Sequence, residues 1–547
     1  MFPEEQIMGR ISVLDCTLRD GAYIVDSDFG EPAIYGIIGH LKNAGIDVIE
    51  CGWLKDKERV SGSTFFHTPD DLIPYISTHA TEKKSEPIYT VMIDWDRYDL
   101  SNLPVHDGRS VDAVRVVFPH GKHKEGIAVA SQIADKGYLT FLQIANTLAY
   151  TDEELVSLSE EVNKLHPVAV SIVDTFGAMY EEDLERISDV LDRHLAPDIR
   201  LGFHSHNNQQ LSFALSIAFI KFFADKPRDI LVDSSLCGMG RGAGNATTEL
   251  IVSYLNKKCG CHYDIDAILD AVDIYMGYYL EHFRWGYSVP YLIAGMNCCH
   301  VNNIAYLLNN HRTNTRDMRY IIESLSAAER LKYDYSLLEQ KYVDIVNRKV
   351  DDSLEKTELQ NALAGRDIIL VAPGKSSLSE QKRTLSLTRS DNVVIIGVNA
   401  ILPGYKYDYV FFVNPARYEY ASTTFKDTFA KVKKILLSNI KSTPGSNELI
   451  IAYEHAVKQG WPHFDNAVIC ALRLLDWLEI THVKLVGFDG FATRYNESYA
   501  DPYLPSLNPD NKWDELNEEI LEMFLDFKSK ALYCRNIEFI TDSYFNR

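Results

Sequence analysis

The sequence predicts two α/β domains in series. A TIM (β/α)8 barrel is expected over residues 1–255, with a helical extension over 256–355, and a smaller Rossmann-like α/β domain over 366–547. Three observations predict this. Short apolar runs alternate with amphipathic segments up to about residue 255, often enough for eight strands. From about 256 to 350 the pattern becomes helical and rich in Tyr, Leu and Asn. Strand-and-helix alternation then resumes at Asp367.

The eight expected barrel strands are Ile11–Leu14, Val48–Ile49, Ile88–Ile93, Ala113–Phe118, Leu139–Ile144, Val168–Val173, Leu201–Phe203 and Ile230–Val232. Helical periodicity lies between most of them, at Glu31–Asn43, Glu125–Lys136, Asp152–Leu165, Glu181–His194 and Gln210–Phe223. An open doubly wound sheet is the competing architecture, but the eightfold repeat and the lack of an early Gly-rich fingerprint weigh against it. In the extension, Ala267–Leu280 and Ser324–Lys332 read as helices, and the polar stretch Val350–Gly365 as the domain boundary. In the second domain the expected strands are Ile368–Val371, Val393–Ile396, Tyr409–Phe412, Ile435–Leu437, Leu449–Ala452 and Val483–Val486, with helices at Ala467–Trp477 and Leu516–Tyr533.

At 547 residues the chain is too long for one core, and its 46% hydrophobic and 24% charged composition is that of a globular protein. A net charge of -22 repels phosphate backbones and anionic lipid heads, so neither nucleic acid nor membrane is an expected partner. Met1–Arg10 holds two acids and no apolar run, so no secretory signal is expected there. The nine cysteines form no zinc or disulfide framework and read as reduced thiols of a cytoplasmic protein.

Two segments carry the chemistry. Leu14-Asp15-Cys16-Thr17-Leu18-Arg19-Asp20-Gly21 follows the first strand, and Leu201-Gly202-Phe203-His204-Ser205-His206-Asn207-Asn208 ends the seventh. Residues i and i+2 of a strand share a face, so His204 and His206 aim two imidazoles at one point of the barrel mouth. Catalytic groups sit at such strand ends in this fold. In a closed barrel only the eighth strand separates the first from the seventh, which lets Asp20 reach the same point. Two imidazoles and a carboxylate hold a divalent metal and leave positions for substrate.

These motifs, with Glu50 at the end of the second strand and Gly240-Arg241-Gly242-Ala243-Gly244-Asn245-Ala246, resemble the DRE-TIM metallolyases. That family includes hydroxymethylglutaryl-CoA lyase, isopropylmalate synthase and 4-hydroxy-2-oxovalerate aldolase. The resemblance covers roughly residues 8–305. It implies metal ligation by Asp20, His204 and His206, with Asn245 as a ligand or neighbour. It also implies that Arg19 faces the enolate oxygen, that Glu50 orients Arg19 by a bidentate pair, and that Asp174 is an active-site acid. The expected cofactor is a divalent metal, Mn2+ ahead of Mg2+, Co2+ and Zn2+. A cation and a guanidinium stabilise an enolate oxygen more than the neutral ketone, which is the physical basis of such chemistry.

Synthases of this family continue Arg-Asp-Gly with Glu-Gln, the CoA lyase with Leu-Gln, and the aldolase with a residue and then His; here the chain reads Ala22-Tyr23. Tyr23 thus stands where the aldolase base is expected, as a base, an acid or a hydrogen-bond donor, and His67 and His120 are candidate replacements. Trp285-Gly286-Tyr287-Ser288-Val289-Pro290-Tyr291 is similar to an aldolase stretch whose second Tyr contacts substrate, which points to Tyr291.

In the second domain, Leu370-Val371-Ala372-Pro373-Gly374-Lys375-Ser376-Ser377 has the form of a strand–turn–helix phosphate cradle, placing a ligand at Gly374, Lys375 and Ser376. It lacks the earlier Gly of a Walker loop, whose position holds Ile369. Asn399, Asn414-Pro415 and Phe488-Asp489-Gly490 follow later strands, an order similar to bacterial sialyltransferases and motility-accessory glycosyltransferase-like domains, which implies a nucleotide-sugar ligand.

The expected function is a metal-dependent aldolase or lyase working through an enolate. Its substrates would be a pyruvate-type oxo acid and an aldehyde, in surface-polysaccharide sugar synthesis, in a homo-oligomer. A Claisen synthase using acyl-CoA and a non-catalytic scaffold with a degenerate barrel stay open as alternatives; the loss of the His at Tyr23 favours the latter.

Overall fold

The structure is a computed structural model that describes residues 9–77, 86–310, 313–387, 392–441, 447–462, 466–492, 495–505 and 512–546. Its chain forms two compact units, Met1–Ile304 with Ala327–Lys332, and Ala305–Ser326 with Tyr333–Arg547.

The first unit is a closed parallel barrel. Its strands are β1 (Ile11–Asp15), β2 (Val48–Leu54), β4 (Ile88–Asp94), β5 (Ala113–Phe118), β6 (Leu139–Ile144), β7 (Ala169–Asp174), β8 (Arg200–Ser205) and β9 (Ile230–Ser234), with a two-residue strand β3 (Phe65–Phe66) beside β2. Strand β1 closes the ring by pairing with both β9 (Ile11↔Ile230) and β2 (Leu14↔Val48). The open-sheet alternative is thereby excluded. Strand β2 runs five residues past the expected Ile49. Its register shifts after Glu50, where Gly52 (φ 153°) passes so close to Thr64 that a Cβ would lie 2.2 Å from the Thr64 carbonyl oxygen. Glu50 is therefore mid-strand, and its side chain points into the barrel rather than over its rim.

Period two sorts each strand between two cores. On β5, Val114, Val116 and Phe118 pack outward under the helices, while Ala113 joins Leu14, Phe141, Ala169 and Leu231 in an apolar plug at the barrel floor. The next interior positions are polar and buried: Arg115, Gln143, Ser171 and Asp233. The outer helices begin and end where local chemistry dictates. Helix Asp152–Leu165 starts at a capping box of Thr151 and Glu154, and helix Glu31–Ala44 ends at left-handed Gly45.

At the end of β1, Asp15 is buried and accepts hydrogen bonds from the Thr17 amide (2.9 Å) and the Thr248 hydroxyl (2.6 Å). Burial outweighs these bonds and pushes its pKa up to about 6. A raised folded-state pKa favours the folded state fully below the unfolded value near 4, and that advantage is lost as pH rises through about 6. We expect Asp15→Asn, which keeps the shape without the charge, to gain melting temperature relative to wild type as pH rises from about 4 to about 6.5 and to hold that gain above it. Thermal melts of both proteins across that range check this; a difference independent of pH would refute it.

The expected extension at 256–355 is divided between the units at Ile304. The helix expected at Ala267–Leu280 is three pieces, a helix Ile265–Ala271, a π turn Val272–Met276 and a helix Gly277–His282. Tyr275 in the π turn lies against Gly36, where a Cβ would fall within 2.0 Å of its phenol oxygen. Of Ser324–Lys332 only Ala327–Arg330 is helical. The polar stretch expected as a boundary contains the helix Ser353–Leu363, whose Leu359 and Leu363 are fully buried in the second core. Two apolar residues four apart suffice to dock it.

The second unit is a seven-stranded parallel sheet in the order β14-β13-β12-β11-β10-β15-β16. The strands are β10 (Asp367–Val371), β11 (Val393–Val398), β12 (Tyr409–Phe412), β13 (Lys433–Leu437), β14 (Glu448–Ile451), β15 (His482–Val486) and β16 (Asn536–Phe539). Strand β16 is not anticipated by the sequence reading: at this sheet edge Asn536 and Glu538 face solvent, and only Ile537 and Phe539 pack on the core. Among the described residues no helix is long and apolar enough to cross a membrane.

Candidate metal centre

Asp20 comes from a short buried helix, Thr17–Asp20, directly after β1. His204 lies on β8, and His206 lies just past it, bridged to Asn245. Candidate ligand atoms of Asp20, His204 and His206 all lie within 4.8 Å of one another. The imidazoles stand edge to face with ring centroids 5.0 Å apart, and His206 Nε2 is 3.6 Å from Asp20 Oδ2.

Each imidazole is oriented through its other nitrogen. His204 Nδ1 meets Asp233 Oδ2 at 3.1 Å, and His206 Nδ1 meets the Asp174 carbonyl oxygen at 3.0 Å. A proton on each Nδ1 satisfies these acceptors and leaves both Nε2 lone pairs for a cation. Burial, reinforced by the Arg19 charge, keeps the His204 pKa below its ordinary value, so the imidazole is neutral, as ligation requires.

The electrostatic frame extends along the barrel interior. Arg19 donates from Nε to Glu50 Oε2 (2.7 Å) and from Nη1 to Asp20 Oδ1 (2.8 Å). The expected bidentate Arg19–Glu50 pair is thus a single bond, because Asp20 takes the second guanidinium nitrogen. Glu50 also faces Arg115 Nη1 at 2.8 Å, and Arg115 is hydrogen-bonded to Asp233. Burial alone would raise Asp20, but Arg19 and the two histidines outweigh it and hold its carboxyl well below the usual range. Asp233 is likewise held down against burial by Arg115 and His204.

The residues fit a divalent cation on two counts. Three carboxylates (Asp20, Glu50, Asp233) face two guanidiniums (Arg19, Arg115), a buried set one negative charge in excess. Asn245 donates from Nδ2 to Asp20 Oδ2 at 2.8 Å, while its buried Oδ1 has no partner. An orphaned acceptor beside an excess of negative charge is what a cation relieves. Gly240 permits this approach: a Cβ there would lie 2.5 Å from Asn245 Nδ2 and 2.8 Å from Asp20 Oδ2.

The other expected site residues are placed less uniformly. Tyr23 sits on the turn Gly21–Tyr23, its ring edge-on to Trp53 at 5.7 Å and covered by the Arg241 guanidinium at 3.4 Å. Burial raises its pKa despite Arg241, so the phenol keeps its proton near neutral pH. Asp174 accepts from the Ala178 amide at 2.8 Å and is pushed by burial up to about 6. Its carboxylate is tied into its own loop, and its carbonyl serves His206. Tyr291 lies half-buried on the helix Val289–Met296, where its amide donates to the Ser288 hydroxyl that caps the helix. His120 pairs with Glu154 at 3.0 Å, and the His67 amide bonds to Asp71. Neither histidine touches the metal cluster.

Arg115, Asp233 and His300 enter only with the structure. His300 is half-buried, accepts at Nδ1 from the Asn302 amide (3.1 Å), and packs on Phe176. Burial first, then Arg241 and His206, push its pKa down to about 4. It therefore stands near the site as a neutral imidazole with its proton on Nε2.

In the second unit the Gly374 turn is closed rather than open to an anion. Asp489 accepts from the Ser376 amide (2.9 Å) and hydroxyl, Gly374 donates to the Gly487 carbonyl (3.0 Å), and Lys375 points to solvent. A carboxylate already occupies the place at which the sequence reading expected a phosphate.

Residues 120–274 match the HMGL-like family model. The oxaloacetate decarboxylase of Mycobacterium tuberculosis is 26% identical over 263 residues, 47% of this chain and 74% of that protein. The 4-hydroxy-2-oxovalerate aldolase of Chloroflexus aurantiacus is 28% identical over 270 residues, 47% of this chain and 73% of that protein. Among solved structures, the HMG-CoA lyase of Bacillus subtilis aligns over 49% of this chain and 92% of its own, with 18% identity and a TM-score of 0.37.

Proposed function

We propose that the barrel is a divalent-metal-dependent aldolase of the DRE-TIM type, interconverting a 4-hydroxy-2-oxo acid with pyruvate and an aldehyde. The observation that carries this is the convergence of Asp20, His204 and His206 with Arg19 at one barrel mouth. The similarity to 4-hydroxy-2-oxovalerate aldolases supports the substrate class.

Asp20, His204 and His206, with Asn245 beside them, would hold the cation, for which Mn2+ is the proposed metal, and it would supply Lewis-acid polarisation of the substrate carbonyl. The remaining work belongs to the protein. Arg19 spends Nε on Glu50 and Nη1 on Asp20, which leaves Nη2 to donate to the oxygen that turns negative as the carbon–carbon bond breaks. Glu50 fixes that guanidinium and is a positioning residue. Tyr23, protonated at Oη, donates a hydrogen bond to the hydroxyl or aldehyde oxygen of the other fragment; the proton that the hydroxyl loses as the bond breaks passes to solvent water, which returns one to the enolate carbon. Asp174 positions His206 through its carbonyl, and Tyr291 is assigned to the wall of the substrate pocket. A cavity of about 360 Å3 lined by Asn207, Asn245, Trp285 and Tyr287 opens beside Asn245.

In D2O with Mn2+ the protein is expected to exchange the methyl protons of pyruvate, followed by NMR, and Arg19→Ala is expected to abolish the exchange. Exchange of acetyl-CoA protons instead would overturn the aldolase assignment in favour of a Claisen synthase.

A further inference from the structure

A cavity of about 750 Å3 opens at the carboxyl ends of the strands of the second sheet, lined by residues that follow β10, β11, β12, β13 and β15. Strand order reverses here: the chain runs outward from β10 to β14 and then returns to place β15 on the other side of β10. In open parallel sheets the loops diverge at such a point and leave a crevice for ligands.

The walls show what the cavity would take. Asn439 donates from Nδ2 to the Val413 carbonyl at 3.0 Å, which fixes the amide and leaves its Oδ1 as an acceptor. That Oδ1 is buried without a partner, as is the indole Nε1 of Trp461, a pure donor. Both residues line the cavity. Unmet buried groups of this kind are costly unless something supplies the missing half of each bond.

Charge points away from a phosphate at this place. The lining carries Asp317, Glu339 and Asp489 against Arg417 and Lys458. Arg417 is spent on the Pro505 carbonyl (2.7 Å) and the Tyr499 ring, and Lys458 on Asp526 (2.8 Å). Aromatic rings such as Phe491 and Tyr499 supply flat apolar surface.

We propose that this cavity binds an uncharged heteroaromatic ring carrying both a hydrogen-bond donor and an acceptor, of the nucleobase kind. The ring offers an N–H to Asn439 Oδ1 and a ring nitrogen or carbonyl to Trp461 Nε1. Any phosphate or sugar attached to it lies toward the opening and not in the Gly374 turn, which Asp489 closes. The assignment is independent of the barrel chemistry. A free nucleoside and a nucleotide-linked sugar present the same ring, and the experiment separates them.

The test is calorimetric titration of the full chain, with and without EDTA, using adenosine, guanosine, cytidine, uridine, their 5′-diphosphates, CMP- and UDP-sugars and inorganic diphosphate. At least one nucleoside or nucleotide-linked sugar is expected to bind equally with and without EDTA. Trp461→Phe, which removes the N–H and part of the ring area while keeping an aromatic wall, is expected to weaken it about tenfold, and Asn439→Leu by a similar factor. Tighter binding of the sugar conjugate than of its nucleoside would identify the conjugate as the ligand. No binding by any of them, binding unaltered in both variants, or full competition by inorganic diphosphate would overturn the proposal.

Discussion

Protein loaded with Mn2+ and desalted is expected to retain about one divalent ion per chain, and Asp20→Ala or His206→Ala to retain less than about a tenth of that. Each variant removes one of three ligands whose atoms lie within 4.8 Å of one another. Asp20→Ala has a further effect, because it removes a negative charge from a buried set in which Arg19 and Arg115 are already positive. A cation would then enter a neutral set instead of one that carries one negative charge in excess. His206→Ala leaves the charge unchanged and tests ligation alone. Elemental analysis after desalting reads the outcome, with circular dichroism to show that the variants are folded. Full metal content in both variants would show that the ion, if any, sits elsewhere.

Much of this centre is legible in the sequence, because its parts are local. His204 and His206 are two apart at a strand end, and Arg19-Asp20 follows a strand directly, so periodicity alone aims them at one mouth. The barrel is legible for the same reason: each of the eight strands carries a short apolar run. What escapes depends on partners distant in sequence. Arg115 looks like an interruption of the apolar run Ala113–Phe118, and only closure of the ring brings Asp233 to it from 118 residues away. The signal was a charged residue at an interior position of a buried strand, which demands a counter-charge. The Gly374 turn misled because its own residues do suit an anion; it is Asp489, 113 residues later, that fills the place. Helix Ser353–Leu363 was hidden by its polar surface, since two leucines carry its docking.

Arg115→Met is expected to be the most damaging single change outside the metal ligands. Arg115 is fully buried and joins Glu50 to Asp233, the two carboxylates that orient Arg19 and His204. Methionine fills most of the volume but leaves Glu50 with only Arg19, which it shares with Asp20, and Asp233 with only the neutral His204, so the buried set holds two uncompensated negative charges. Breaking a buried pair in this way costs about 3–5 kcal/mol, a large share of a typical domain's stability. A barrel of this size should lose roughly 10 °C in melting temperature. Metal affinity should fall by about 10–100-fold, because Asp233 no longer has the fixed position that orients His204. Arg115→Lys separates charge from geometry: a single ammonium keeps the charge but cannot fork to two carboxylates, so it should recover stability more than metal affinity. Adding Glu50→Gln and Asp233→Asn to Arg115→Met removes the stranded charges, and should restore melting temperature while metal binding stays weak. Melting within about 2 °C of wild type together with unchanged metal affinity in Arg115→Met would show that the guanidinium is dispensable, and that Asp233 and Glu50 hold their places through the barrel backbone alone.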